Sequence, residues 1–117
     1  MQFICYPKCS TCRKAQAWLD EREIPYELRL ILEENPSAEE LKAWQTRSRL
    51  PLKRFFNTSG LKYKALNLKE RLPEMSEEEQ LELLSSDGML VKRPLLISED
   101  FVLVGFREAE YEEKLVR

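Results

Sequence analysis

Histidine is missing from the 117 residues altogether. Its absence excludes a Cys–His dyad, a Ser–His–Asp triad and an HExxH zinc site within the chain. Cysteine is scarce, at three residues. An odd number this small does not make a disulfide scaffold, and it suits a reducing, cytoplasmic setting. A structural zinc needs four ligands, and three thiols without histidine fall short, so no metal site is expected. No apolar run approaches the roughly 18 residues of a membrane span. The first residues, Met-Gln-Phe-Ile-Cys-Tyr, lack the charged start and long apolar core of a signal peptide. Charge of one sign is lacking too. A net charge of −2 gives no general affinity for nucleic acid or an anionic membrane, and neither is expected as a partner. What remains is a chain of single-domain length, 43% hydrophobic and 34% charged.

The informative stretch is Tyr6-Pro7-Lys8-Cys9-Ser10-Thr11-Cys12-Arg13-Lys14. Two of the three cysteines stand there as C-x-x-C, where an apolar run gives way to a helical pattern. A thiol at such a junction lies near the first, unpartnered helical N–H groups and the positive end of the helix dipole, which favour thiolate. Lys8, Arg13 and Lys14 add positive charge.

Residues 2–6 read as a strand ended by Pro7. From 11 to 23, Cys12, Ala15, Trp18, Leu19 and Arg22 share one face at helical spacing, and Ile24-Pro25 stops the helix. Residues 26–32 read as a second strand, with Tyr26, Leu28, Leu30 and Leu32 alternating against Glu27, Arg29 and Ile31. Strand, helix, strand within so short a span makes a βαβ unit with parallel strands. Ser37…Glu40 and Ser76…Glu79 have capping-box spacing, so each opens a helix. The first turns Leu41 and Trp44 inward, and the second carries Leu81, Leu83 and Leu84 until Asp87-Gly88. Between them, 52–56 reads as a short helix, 57–60 as a turn, and 62–72 as short helical turns. Residues 95–97 and 101–104 form a hairpin. A last amphipathic helix spans 107–116 with Ala109, Tyr111 and Leu115 toward the core. The order predicts an α/β fold, a small mixed four-stranded sheet with a parallel pair first and a hairpin last.

C-x-x-C opening the helix of a βαβ unit is the arrangement of thioredoxin-like redox proteins, with a metal half-site or two unrelated cysteines as the alternatives. Cys9 sits just outside the helix as the nucleophile, and Cys12, one turn in, can resolve a mixed disulfide. Pro94, before the third strand, is expected to face that loop as a cis-proline or else simply to enter a strand. Cys5 reads as a small core hydrophobe rather than a third redox partner. Residues 47–64 carry Arg47, Arg49, Lys53, Arg54, Lys62 and Lys64 with no acid. They form a solvated basic face over buried Phe55 and Phe56, or else a surface that draws an anionic substrate or single-stranded nucleic acid.

Several motifs resemble the arsenate reductase (ArsC)/Spx family: Cys9-x-x-Cys12-Arg13-Lys14-Ala15-x-Ala17-Trp18-Leu19 with Ile24-Pro25, Asn35-Pro36-Ser37-x-Glu39-Glu40-Leu41, and Lys92-Arg93-Pro94-Leu95. Phe55-Phe56-Asn57-Thr58-Ser59-Gly60-x-Lys62-Tyr63 is similar to an uncharacterised ArsC-like branch of it. The resemblance implies one thioredoxin-like domain over residues 1–117, with an all-helical insertion at about 33–87. It implies Cys9 as nucleophile, Arg93 as an anion or thiolate stabiliser together with Arg13 and Lys8, and Pro94 as the shaper of the groove. No bound cofactor is implied. An external thiol reductant, glutathione/glutaredoxin or thioredoxin, supplies electrons, and the substrate is a small oxyanion such as arsenate or a protein disulfide. In reductases of this type three arginines hold the oxyanion. Asn57 and Phe106 stand at two of those positions here, with Arg107 one residue late, and Cys12 points to intramolecular disulfide chemistry. The alternative the resemblance carries is an Spx-type redox-sensing regulator that binds the RNA polymerase α subunit. Pro51 stands where those regulators have the glycine of the contacting turn.

Overall fold

The computed structural model describes residues 1–116. Strand β1 (Gln2–Cys5) is one of the two inner strands of a four-stranded sheet. Helix α1 (Ser10–Glu21) returns the chain to β2 (Glu27–Leu30), which pairs parallel with β1, Phe3 opposite Leu28 and Cys5 opposite Leu30. The segment 38–90 is helical. It contains α2 (Ala38–Ser48), α3 (Leu61–Ala65), α4 (Leu68–Arg71) and α5 (Glu77–Ser86), with single tight turns at Leu52–Phe55, Leu72–Glu74 and Gly88–Leu90. Strand β3 (Leu95–Ile97) then lies antiparallel on β1 and is followed by β4 (Val102–Val104) and α6 (Glu108–Leu115). This is the mixed sheet and thioredoxin-like fold that the sequence predicts.

Strand alternation divides the core in two. Phe3, Cys5, Leu96 and Leu103 face α1 through Cys12, Ala15, Trp18 and Leu19, and meet Tyr111 of α6. Ile4, Leu95, Ile97, Val102 and Val104 face the helical segment through Leu41, Trp44, Phe55, Phe56, Leu68 and Leu84. Both capping boxes form as predicted, Ser37 with Glu40 and Ser76 with Glu79, each side chain taking the other residue's backbone N–H. Lys42 of α2 pairs with Glu77 of α5 across the two helix starts.

One inward assignment, Ala109, is corrected, and the faces of β2 and α1 are unequally covered. Leu28 and Leu32 are about half exposed, whereas Ile31 on the opposite face is fully buried. β2 is an edge strand, and its better covered face is the one carrying Arg29. That guanidinium forms a two-pronged bond with Glu40, at 2.7 and 2.8 Å, beneath helix α2. Arg22 shares the Trp18 face as its spacing predicts, exposed and stacking its guanidinium on the ring at 3.9 Å. Ala109 is exposed, because α6 buries a narrow stripe centred on Tyr111. No helix among the described residues is long and apolar enough to cross a membrane.

Candidate functional site

Pro7-Lys8 turns the chain out of β1, and the Cys9 N–H closes that turn on the Tyr6 carbonyl at 2.9 Å. Cys9 is left as the N-cap of α1 in extended conformation, with no capping side chain of its own type. Its sulfur lies at the start of that helix. Partial burial pushes the thiol up, but the nearby backbone N–H groups of Cys12 and Thr11, the Cys12 thiol and the Arg93 guanidinium favour its thiolate. These groups win, and Cys9 is held below its ordinary value.

Cys12 is the opposite case. It is buried against the sheet and accepts the Tyr6 N–H at 3.4 Å. Burial pushes its thiol up to about 12; the Tyr6 N–H opposes this and the neighbouring Cys9 charge reinforces it. Cys5, buried on β1, is also raised, by burial first and then by Cys9. All three cysteines are free thiols. No group of three or more histidine, cysteine or acidic side chains among the described residues is arranged to hold a metal ion.

Arg93 reaches Cys9 from the loop before β3. Its guanidinium is fixed by the carbonyls of Met89 and Val91, at 3.2 and 3.5 Å, and lies 5.2 Å from the Tyr6 ring centroid. The Arg93–Pro94 peptide bond is cis, the first of the two alternatives read from the sequence. Pro94 is buried, with its carbonyl accepting the Gly105 N–H at 2.8 Å. Opposite, the turn from Asn57 to Lys62 forms the far wall of a cleft of about 400 Å³ that opens on Cys9. Backbone bonds from Asn57 to Leu90 and from Lys92 to Phe55, both 2.8 Å, clamp that wall to the Arg93 loop. A Cβ on Gly60 would sit 2.6 Å from the Asn57 amide nitrogen and 3.2 Å from the Asn57 carbonyl, so a larger residue there would displace the Asn57 side chain.

The structure thus brings together Cys9, Cys12 and Arg93. Lys8 and Arg13 are exposed and do not line the cleft, and Lys14 lines a separate hollow beside Trp18. Of the two positions where arginine is expected from the resemblance, Asn57 lines the Cys9 cleft. Phe106 instead packs its ring edge-on against Tyr111, 4.8 Å between centroids. Arg54 and Arg107 fall in an adjoining cleft. Phe55, Phe56 and Tyr63 are buried, as the solvated-face reading of residues 47–64 requires. Tyr6, Thr11, Ser59 and Lys92 lie within the motifs read from the sequence but carry no role there, and Met89 lies outside those motifs.

A sheet ordered β2-β1-β3-β4 with a cysteine at the N-cap position of its first helix, its thiol held below the ordinary value, defines a protein of thioredoxin-like fold with a thiol site. Within that class the chain belongs to the ArsC family, whose model matches residues 5–114. It is 58% identical over 113 residues to the Bacillus subtilis protein YusI, described as uncharacterized, covering 97% of this chain and 96% of that one. An ArsC family related protein from Bacteroides fragilis superposes with a TM-score of 0.93 at 57% identity, over 96% of this chain and 94% of that one. The global transcriptional regulator Spx of Enterococcus faecalis is 37% identical over 111 residues, 95% of this chain and 83% of its own length.

Proposed function

We propose that this ArsC-family protein is a thiol–disulfide oxidoreductase using Cys9 and Cys12 as its redox pair. The observation that carries the reading is the contrast between the two thiols. Cys9 caps the helix start on an open cleft, where its thiolate is favoured, while Cys12 is buried against the sheet with its thiol pushed up to about 12. In the first step the Cys9 thiolate attacks a disulfide, forming a mixed disulfide and expelling one thiolate, which takes a proton from solvent. That step removes the negative charge on Cys9, and with it one of the influences holding Cys12 protonated. Cys12 then loses its proton and attacks the Cys9 sulfur, releasing the second thiol and closing the Cys9–Cys12 disulfide. The two electrons delivered come from the dithiol. An external thiol reductant, of the glutathione/glutaredoxin or thioredoxin kind, restores it. Arg93 stabilises the Cys9 thiolate, and Pro94 shapes the groove.

Arsenate reduction is the weaker reading of the same site. Asn57 offers an amide and Phe106 a ring where an oxyanion calls for guanidinium forks, leaving Arg93 as the one arginine on the cleft. A second reading, a redox-switched regulator contacting the RNA polymerase α subunit, is favoured by the extent of the match to Spx. Pro51 counts against it, because a proline cannot bring its backbone to a partner as a glycine can.

Steady-state disulfide reduction coupled to thioredoxin or to glutathione and glutaredoxin tests the proposal. Cys9→Ser is expected to abolish turnover and Cys12→Ser to stall it at a mixed disulfide. Arsenate turnover that survives Cys12→Ser would favour the oxyanion reading. Recovery of the α subunit by the oxidised protein, with no turnover, would favour the regulator.

A further inference from the structure

At the edge of the sheet away from β2, strand β4 pairs with β3 alone. Ser98 donates its N–H to the Phe101 carbonyl at 2.9 Å, and Gly105 donates to the Pro94 carbonyl at 2.8 Å. Leu96 and Leu103 stand opposite one another between those two bonds. Antiparallel bonding alternates along a strand, so residues 101, 103 and 105 turn their backbone groups toward β3. Val102 and Val104 therefore turn their N–H and C=O groups outward, where they meet no backbone partner among the described residues.

Those groups line a groove of about 390 Å³ that runs the length of β4. One wall comes from the end of α2 and the tight turn after it, through Arg47, Arg49 and Arg54. Arg47 donates to the Ser98 carbonyl at 2.7 Å, which fastens that wall to the turn between β3 and β4. The other wall comes from α6, where Glu110 and Lys114 carry opposite charges. Asp100 stands where the strand begins. The ion pairs among the described residues engage none of these six side chains. Four cations against two carboxylates make the groove positive, in a chain whose net charge is −2.

We propose that this groove is a strand-addition site, in which an extended segment of a partner protein, acidic at every second position, pairs with β4 as a fifth strand. An unpaired strand edge is a template for another strand. Strand addition takes affinity from main-chain bonds and specificity from alternate side chains. Successive side chains of the added strand point to opposite faces of the sheet. One set meets the three arginines, which match carboxylates. The other set meets Glu110 and Lys114, whose charges offset, so uncharged residues fit there. A second copy of this chain is a poor occupant, because its own β4 edge carries the same positive excess. The site does not depend on the chemistry at Cys9.

The test uses the full chain and three end-blocked peptides about seven residues long, the length of an ordinary strand. The first alternates glutamate with valine, the second alternates lysine with valine, and the third is the glutamate peptide with proline at its centre. Residue-resolved amide exchange is read by NMR. In the free protein, Val102 and Val104 are expected to exchange faster than Leu103. The glutamate peptide is expected to slow both by about tenfold or more and to leave Leu103 unchanged. The lysine peptide and the proline-interrupted peptide are expected to leave all three unchanged. Arg49→Gln with Arg54→Gln is expected to weaken binding of the glutamate peptide about tenfold. Lys64→Gln with Lys69→Gln, outside the groove, is expected to leave that binding unchanged. The proposal is overturned if the glutamate peptide does not slow Val102 and Val104, or if either control peptide slows them equally. It is also overturned if the two lysine substitutions weaken binding as much as the two arginine substitutions, since that would reflect overall charge. Protection that rises with protein concentration alone would make a second copy the occupant, and would overturn it as well.

Discussion

The two thiols of the C-x-x-C pair are expected to react at very different rates in the reduced protein, and the size of the gap follows from the site. With its pKa pushed up to about 12, Cys12 is thiolate in only about one molecule in 10⁵ at pH 7. A thiol at the ordinary value of 9.0 is thiolate in about one in 10², and Cys9 lies below that value. Thiolate population thus favours Cys9 by at least about 10³. A more basic thiolate is the better nucleophile, and a Brønsted slope of about 0.4–0.5 over three pH units gives Cys12 back about 15- to 30-fold. Population wins, and Cys9 should be alkylated at least about 30 times faster at pH 7. Burial of Cys12 widens the gap further. Pulsed iodoacetamide labelling with peptide-resolved mass spectrometry, from about pH 5 to about pH 10, measures both rates on the unmodified sequence. Equal rates, or a Cys9 profile breaking at or above 9.0, would refute the assignment of roles.

Arg93→Gln removes a donor to the Cys9 sulfur, so the Cys9 thiol should titrate higher, read from thiolate absorbance in the ultraviolet; an unchanged midpoint would show the helix start acting alone. Glu40 is lowered from 4.5 to about 2, by its bond to Arg29 first, against burial. Its stabilising contribution is therefore present above about pH 4.5 and is lost as pH falls toward 2. The Glu40 side chain is 37% exposed, so screening limits that contribution to about 1 kcal/mol. Urea unfolding of Glu40→Gln and the parent should differ by that amount at neutral pH and converge in acid. Ser76→Ala removes a capping-box acceptor and should cost about 1 kcal/mol in the same assay, with no effect on Cys9 labelling. Gly105→Ala should also cost about 1 kcal/mol, because φ is +80 while the contact with Lys92 is ordinary; a neutral effect would contradict the backbone account.

Local signals carried most of the architecture. Ser37…Glu40 and Ser76…Glu79 marked helix starts because a capping box is complete within four residues. Cys9 and Cys12 were legible for the same reason, since a helix start and its dipole are local properties. What could not be read depends on partners distant in sequence. Leu28 looks like a core residue until β2 proves to be an edge strand, and Arg29 looks like a surface charge until Glu40 is packed over it. Residues 62–72 resolve into α3 and α4 because Tyr63 and Leu68 reach the same core as Leu84. The far wall of the cleft was legible only through the resemblance, which placed Asn57 at an anion-holding position, because the pairing of Phe56 with Val91 that brings Asn57 and Ser59 opposite Cys9 is long-range.

That pairing divides labour within the site. The nucleophile, the groups that favour its thiolate and the buried second thiol come from β1, α1 and the Arg93 loop, while the opposing wall comes from a turn held by backbone bonds and by the Lys62–Asp87 ion pair at 2.9 Å. Among the described residues, the Asn57 and Ser59 side chains bond only to each other. A chain built this way can change the molecules it admits by exchanging side chains at positions 57 and 59, with the reacting sulfur undisturbed. Selectivity and reactivity can then diverge independently, so one scaffold can supply several thiol chemistries without refolding its core.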